Sequence, residues 1–139
     1  MSIHKGIVLL VAAAGLSIGL AARAQVSSPV SFSQTIQPYF DRQCVVCHTG
    51  DDHMGELVLE RGLAYSQIVG VPAVQLPTYL RVEPGDPQGS YLFRKVLGDH
   101  RQIGGVGWSM PPPSHPFLFV SEIDREALRQ WILEGARDN

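Results

Sequence analysis

The stretch Cys44-Val45-Val46-Cys47-His48, CVVCH, decides how the rest of the chain is read. Two cysteines three apart with a histidine directly after them suit a zinc corner, a redox dithiol or a point of covalent haem attachment. Cys44 and Cys47 are the only cysteines in 139 residues. A structural zinc site takes four protein ligands at paired spacings. The motif offers three, its neighbours Cys47 and His48 point poorly for one tetrahedral ion, and His53, His100 and His115 stand isolated along the chain. A redox dithiol belongs at the start of a helix that follows a strand, whereas the residues before Cys44 read as helix.

The spacing fits haem attachment mechanically. A two-residue gap within a helical turn sets both sulfurs along one edge of a porphyrin, where each forms a thioether with a vinyl group. His48, next in line, offers an imidazole nitrogen to the iron. The start of the chain agrees with this chemistry. Lys5 gives a short basic region, Gly6 to Leu20 is an apolar run, and Ala22-Arg23-Ala24 has the small-x-small pattern of a cleavage site. The apolar run is short for a bilayer span of roughly 20 residues. The expectation is a signal peptide over residues 1–24, cleaved after Ala24. A periplasmic or otherwise exported domain over residues 25–139 would remain, with no integral membrane span.

Charge narrows the function further. The formal net charge of −2 becomes −4 once Lys5 and Arg23 leave without any acid. Lys95 is then the only lysine, which excludes a lysine-rich docking face. No basic patch or aromatic-basic interleaving suggests nucleic acid. An exported domain of this size is near the limit at which an apolar core suffices alone. One disulfide across a two-residue gap would constrain little of the unfolded chain, so a cofactor is expected to fill the interior.

Along the mature chain, Ser31 or Ser33 caps a helix towards Cys44, with Phe32, Ile36 and Phe40 on one face. Pro38 requires that helix to start near Thr35 or to kink. A short helix is expected around Leu63 to Ile68, ended by Gly70 and Pro72. Residues 71–89, rich in Pro and Gly, read as irregular. Asp86 as N-cap, Pro87 at the first helical position and Gly98 past the end frame another helix. Its expected buried stripe is Leu92, Phe93, Val96 and Leu97. Asp99 to Phe119 reads as a loop, too long to be without function. Ser121 and Asp124 have capping-box spacing ahead of a final helix, with Ile123, Ala127, Leu128, Trp131, Ile132 and Gly135 as its apolar face. The domain is mostly helical with long loops.

Opposite His48, the candidate sixth ligands are Met54, Met110, His53, His100 and His115. His53 and Met54 follow His48 too closely to reach the far face easily. His100 and His115 read as surface histidines. Met110, in Trp108-Ser109-Met110-Pro111-Pro112-Pro113, lies in a loop whose prolines have fixed φ and favour an extended path. It is the expected ligand. Trp108 either covers the cofactor or packs within the loop, and Tyr91, Phe93, Phe117 and Phe119 read as core or cofactor-edge packing. Methionine opposite histidine raises the reduction potential relative to two histidines and leaves no open position on the iron.

With Cys44-x-x-Cys47-His48, Met110-Pro111 in a late loop and an aromatic residue in the final helix, the chain resembles a class I c-type cytochrome over nearly the whole mature length. GDPQGSYLFRKVLG, MPP and LRQWILEGA resemble more specifically the cytochrome c domains of planctomycete type. The resemblance implies an all-α cytochrome c fold, three to five helices with long loops around one covalently bound haem c. It further implies terminal helices crossing beside the haem, with Phe40 and Trp131 at the crossing. The family's usual glycine is Ile36 here, and Gly135 is the expected small contact instead.

The function expected is an exported monohaem carrier of single electrons between redox proteins, with Cys44 and Cys47 attached to haem and His48 and Met110 ligating its iron. No catalytic residue is nominated. Its acidic surface favours a partner of complementary charge. One alternative is a dedicated subunit of a larger dehydrogenase or reductase, docked on a membrane or multi-subunit complex. The other is a haem enzyme or gas sensor with a displaceable sixth ligand.

Overall fold

Ser31 opens the first element: its hydroxyl accepts the Gln34 N–H at 3.2 Å. The computed structural model describes residues 28–51 and 53–139; the leader expected over residues 1–24 lies outside them. Phe32–Ile36 forms one π-helical segment, which passes directly into α1, Gln37–Gln43. The Ile36 and Gln37 amides reach back to the carbonyls of Ser31 and Phe32. Pro38, near the start of α1, explains the wide turn, because its ring would clash with the carbonyl four residues earlier in regular α-helix. Phe32, Ile36 and Phe40 are buried as the spacing predicts.

After the CVVCH turn come α2, Ala64–Ile68, the strands β1, Pro72–Ala73, and β2, Leu76–Leu80, then α3, Tyr91–Leu97. A 3₁₀ turn at His100–Ile103 and the longest helix, α4 at Glu122–Leu133, complete the order. The all-α expectation is therefore corrected. β1 and β2 form an antiparallel hairpin, Pro72 opposite Leu80 and Ala73 opposite Leu76, with an irregularity between the two pairs. The strands occupy residues whose prolines suggested irregular chain. Pro72 and Pro77 are both exposed, and a two-stranded ribbon has room at its edges for residues without an N–H. Leu76, Thr78, Tyr79 and Leu80 supply the strand-forming side chains.

Other boundaries shift for local reasons. Ser90, not Asp86, precedes α3. Its hydroxyl bonds the Glu83 amide at 2.9 Å and donates to the Asp86 carbonyl at 2.8 Å, which keeps residues 86–89 in turns. Gly98 ends α3 in the left-handed region, φ 77°. Leu97 is exposed, and its place on the buried side is taken by Tyr91 and Lys95. The loop after Asp99 contains the 3₁₀ turn. At α4, Ser121 accepts the Asp124 amide at 3.0 Å and donates to the Asp124 carboxylate at 2.7 Å. Leu128, Trp131 and Ile132 are fully buried, whereas Ile123 is 82% exposed.

One apolar core joins Phe32, Ile36, Phe40, Ala64, Ile68, Val82, Phe93 and the buried face of α4. Phe32 sits among aromatic rings, its centroid 5.4 Å from Trp131, 5.3 Å from Tyr65 and 6.3 Å from Phe40. The two ends of the described chain are also stitched by polar bonds. Asn139 accepts from the Ser33 and Phe32 amides and from the Ser31 hydroxyl, and Glu134 accepts from the Val30 amide. Gly135 makes no close contact; an added Cβ there would meet open space. Among the described residues no helix is long and apolar enough to cross a membrane.

Candidate functional site

The end of α1 delivers the motif. Beyond Gln43 the chain continues as a turn in which the Cys44 amide bonds the Phe40 carbonyl at 2.8 Å and the His48 amide bonds the Cys44 carbonyl at 3.1 Å. Cys44 and Cys47 are thus one helical turn apart and on one side, as side chains three apart are. Both are free thiols. They open, with His48 and Met110, onto one cavity of about 240 Å³.

The cavity wall is apolar for most of its extent: Tyr39, Phe40, Leu57, Leu59, Leu92, Val96 and Leu118 contribute. His48 is buried, and its Nδ1 lies 3.3 Å from the Leu57 carbonyl. A carbonyl only accepts, so in this contact Nδ1 is the donor, which orients the ring as second partners of ligating histidines do. The Leu59 amide bonds the His48 carbonyl at 2.8 Å and fixes the backbone beside it. Leu59 is itself held by buried Gln37, whose amide donates to the Leu59 carbonyl at 2.9 Å.

Met110 arrives from the opposite side of the sequence. Its amide bonds the Lys95 carbonyl of α3 at 2.9 Å, and it shares the wall with Pro111 and Pro112. The Met110–Pro111 peptide is cis. Of the other candidate ligands, Met54 also lines the cavity but is 54% exposed. His53 and His115 are exposed and do not line it. His100, expected at the surface, is buried, with Nε2 3.2 Å from the Gly107 carbonyl. Trp108 lines the cavity with 66% of its surface exposed. Tyr91 and Phe93 are buried, whereas Phe117 and Phe119 are exposed.

Burial sets the ionisation of the site. It pushes the Cys44 thiol up to about 12, with Asp124 and Cys47 adding to the rise and the Tyr39 hydroxyl opposing it. Burial first, and the neighbouring Cys44 second, raise the Tyr39 phenol; its hydroxyl has no oxygen or nitrogen partner. Two buried cations on the wall, Arg81 and Lys95, escaped the reading of the sequence. Arg81 donates to the Gln67 and Glu56 carbonyls, each at 2.8 Å, and burial lowers its pKa. Lys95 donates to the Val106 carbonyl at 2.7 Å and the Trp108 carbonyl at 2.8 Å. Burial, then the charge of Arg101, brings it down to about 8. The usable signal was its position, three residues after Leu92 and beside Val96, inside the buried stripe of α3.

The donors gathered here are two thiols, one imidazole and one thioether. Among the described residues, no three His, Cys, Asp or Glu side chains come together to hold a metal ion. The set and its apolar setting fit haem c, with Cys44 and Cys47 for the vinyl edge and His48 and Met110 for the iron. Arg81 and Lys95 also line the cavity and add positive charge to its wall. Comparison with protein families, with characterised proteins and with solved structures finds no match.

Proposed function

We propose that the chain is an exported monohaem c-type cytochrome that carries single electrons between redox proteins. The supporting observation is the convergence of Cys44, Cys47, His48 and Met110, separated by up to 66 positions in the sequence, on one apolar cavity. The reading concerns a c-type haem site on a mixed fold of short helices and a hairpin. Haem c, when bound, supplies a one-electron iron couple.

The chain's own residues do the rest. Cys44 and Cys47 would hold the group by two thioether bonds, and the burial around Cys44 would keep water from them. His48, oriented by the Leu57 carbonyl, would offer a ring nitrogen to the iron, and Met110 a soft thioether of the kind that favours the reduced state. Leu57, Leu59, Leu92, Val96 and Leu118 exclude solvent and so reduce the reorganisation that accompanies a change of charge. With His48 and Met110 both ligating, the iron would offer no place to a substrate. Exposed Phe117, Phe119 and Trp108 flank Leu118 and the cavity wall. This apolar exposure favours, as a second reading, a carrier that works docked as a subunit of a larger redox complex.

Expression with haem-attachment machinery tests the proposal. Expected are covalent haem by intact mass, a weak long-wavelength sulfur-to-Fe(III) band, and no carbon monoxide binding by the reduced protein at neutral pH. Met110→Ala should abolish the band and admit carbon monoxide. Ready binding by the parent would exclude the closed carrier in favour of a gas sensor or enzyme, and a band that survives in Met110→Ala would exclude Met110 as ligand.

A further inference from the structure

The segment that ends at Met110 is held at three successive carbonyls. Val106 and Trp108 both accept from the Lys95 ammonium, at 2.7 and 2.8 Å. Between them, Gly107 accepts from the Arg101 guanidinium at 2.9 Å and lies 3.2 Å from His100 Nε2. The Lys95 carbonyl receives the Met110 amide at 2.9 Å. One residue of α3 therefore grips the loop with both its side chain and its main chain. Lys95 as a whole is 7% exposed, and its ammonium stands 5.6 Å from the centroid of the Tyr91 ring.

Outside this contact, residues 104–120 have no regular structure to hold them. Carbonyls bound to a cation are restrained more strongly than carbonyls bound to water or to neutral donors. Burying an ammonium is costly unless its hydrogen bonds are made, so the fold keeps Lys95 inside only while the loop stays in place. Cation and loop each depend on the other.

We propose that Lys95 is the positioning residue of the haem site: it straps residues 106–110 to α3 so that the Met110 thioether is fixed at the cavity and resists displacement. This rests on the haem reading above. The same buried positive charge, lying in the cavity wall, favours the reduced iron and raises the potential.

The test uses the full-length holoprotein at pH 7 and imidazole as the competing ligand. Lys95→Met keeps the aliphatic stem and removes the charge and both side-chain bonds; Lys95→Arg returns a cation with several donors. Expected for Lys95→Met are retained haem content, at least tenfold tighter imidazole binding, a lower midpoint potential and faster hydrogen exchange at the Met110 amide. Lys95→Arg should recover part of each. A residue that merely supports the fold would lower the melting temperature and leave imidazole affinity unchanged, and that result overturns the proposal. Should Lys95→Met fail to fold, Lys95→Gln, which keeps a neutral donor and removes the charge, decides: tighter imidazole binding supports the strap and unchanged binding overturns it. Failure of the haem reading is distinct, because the parent itself would then lack covalent haem or the sulfur-to-Fe(III) band. Even so, loss of protection at the Met110 amide in Lys95→Met would still report the strap, and unchanged protection would refute it.

Discussion

Gly107→Ala places a methyl group into the tightest part of the Met110 loop. Gly107 has φ 77°, and the new Cβ would lie 3.3 Å from Lys95 Nζ and 3.2 Å from Gln75 Nε2. Two costs follow. An L-residue in the left-handed region costs about 1–2 kcal/mol. The second is crowding, because neither neighbour can retreat freely: Lys95 is bound to two carbonyls, and the Gln75 amide accepts from the Tyr91 hydroxyl at 3.1 Å. Losing one hydrogen bond to a charged group costs about 1.5–3 kcal/mol. Gly62→Ala separates the two terms, since Gly62 has φ 84° with nothing within 4 Å of its Cβ position. It carries the backbone cost alone, and the effect of either substitution on the unfolded chain is common to both. At about 3–6 °C per kcal/mol for a domain of this size, Gly62→Ala should lower the melting temperature by about 3–12 °C. Gly107→Ala should lower it by about 5–18 °C more. Thermal unfolding of the holoprotein followed by far-ultraviolet circular dichroism measures both. The sulfur-to-Fe(III) band should weaken in Gly107→Ala alone. Equal melting temperatures for the two variants would refute the argument that the ammonium is pinned.

Two other outcomes follow from the same geometry. Ser121→Ala removes the cap of α4 and should cost about 1 kcal/mol, read as a urea midpoint shift with an unchanged haem spectrum; a changed spectrum would show that α4 governs the site more directly than the cap does. In the haem-free chain, Cys44 has a folded pKa pushed up from 9.0 to about 12 by burial. The unfolded chain ionises first, so this group's stabilising contribution is full below pH 9 and declines as pH rises through 12. Stability measured against pH should show that decline, and Cys44→Ala should remove its onset near pH 9 while leaving the loss above pH 10 to which the raised Tyr39 phenol contributes.

Much of the framework was legible where one physical requirement had one solution. Ser121 and Asp124 could only cap α4, Gly98 could only stop α3, and Phe32, Ile36 and Phe40 could only face a core. CVVCH and Met110 were legible as a pair because few other residues in the chain have suitable chemistry, although nothing in the spacing said that they would share a cavity. The hairpin was obscured because Pro72 and Pro77 look like breakers, and only tertiary context shows them at ribbon edges. Ser90 replaced Asp86 as the cap because its hydroxyl reaches back to Glu83, a contact absent from any local pattern. Ile123 fits the period of α4 but lies beyond the reach of the core. Lys95 was hidden by its charge: burial of its ammonium depends on the Val106 and Trp108 carbonyls, more than ten positions later, and composition cannot place them.

The bonds from Asn139 and Glu134 to Val30, Ser31, Phe32 and Ser33 span 104 to 108 residues. During synthesis the amino-terminal part of the chain emerges first, so Phe32 has no Trp131 to pack against until the residues between them have appeared. The seam therefore acts as a late latch: Val30 to Ser33 are tied down only once residues 134–139 are present.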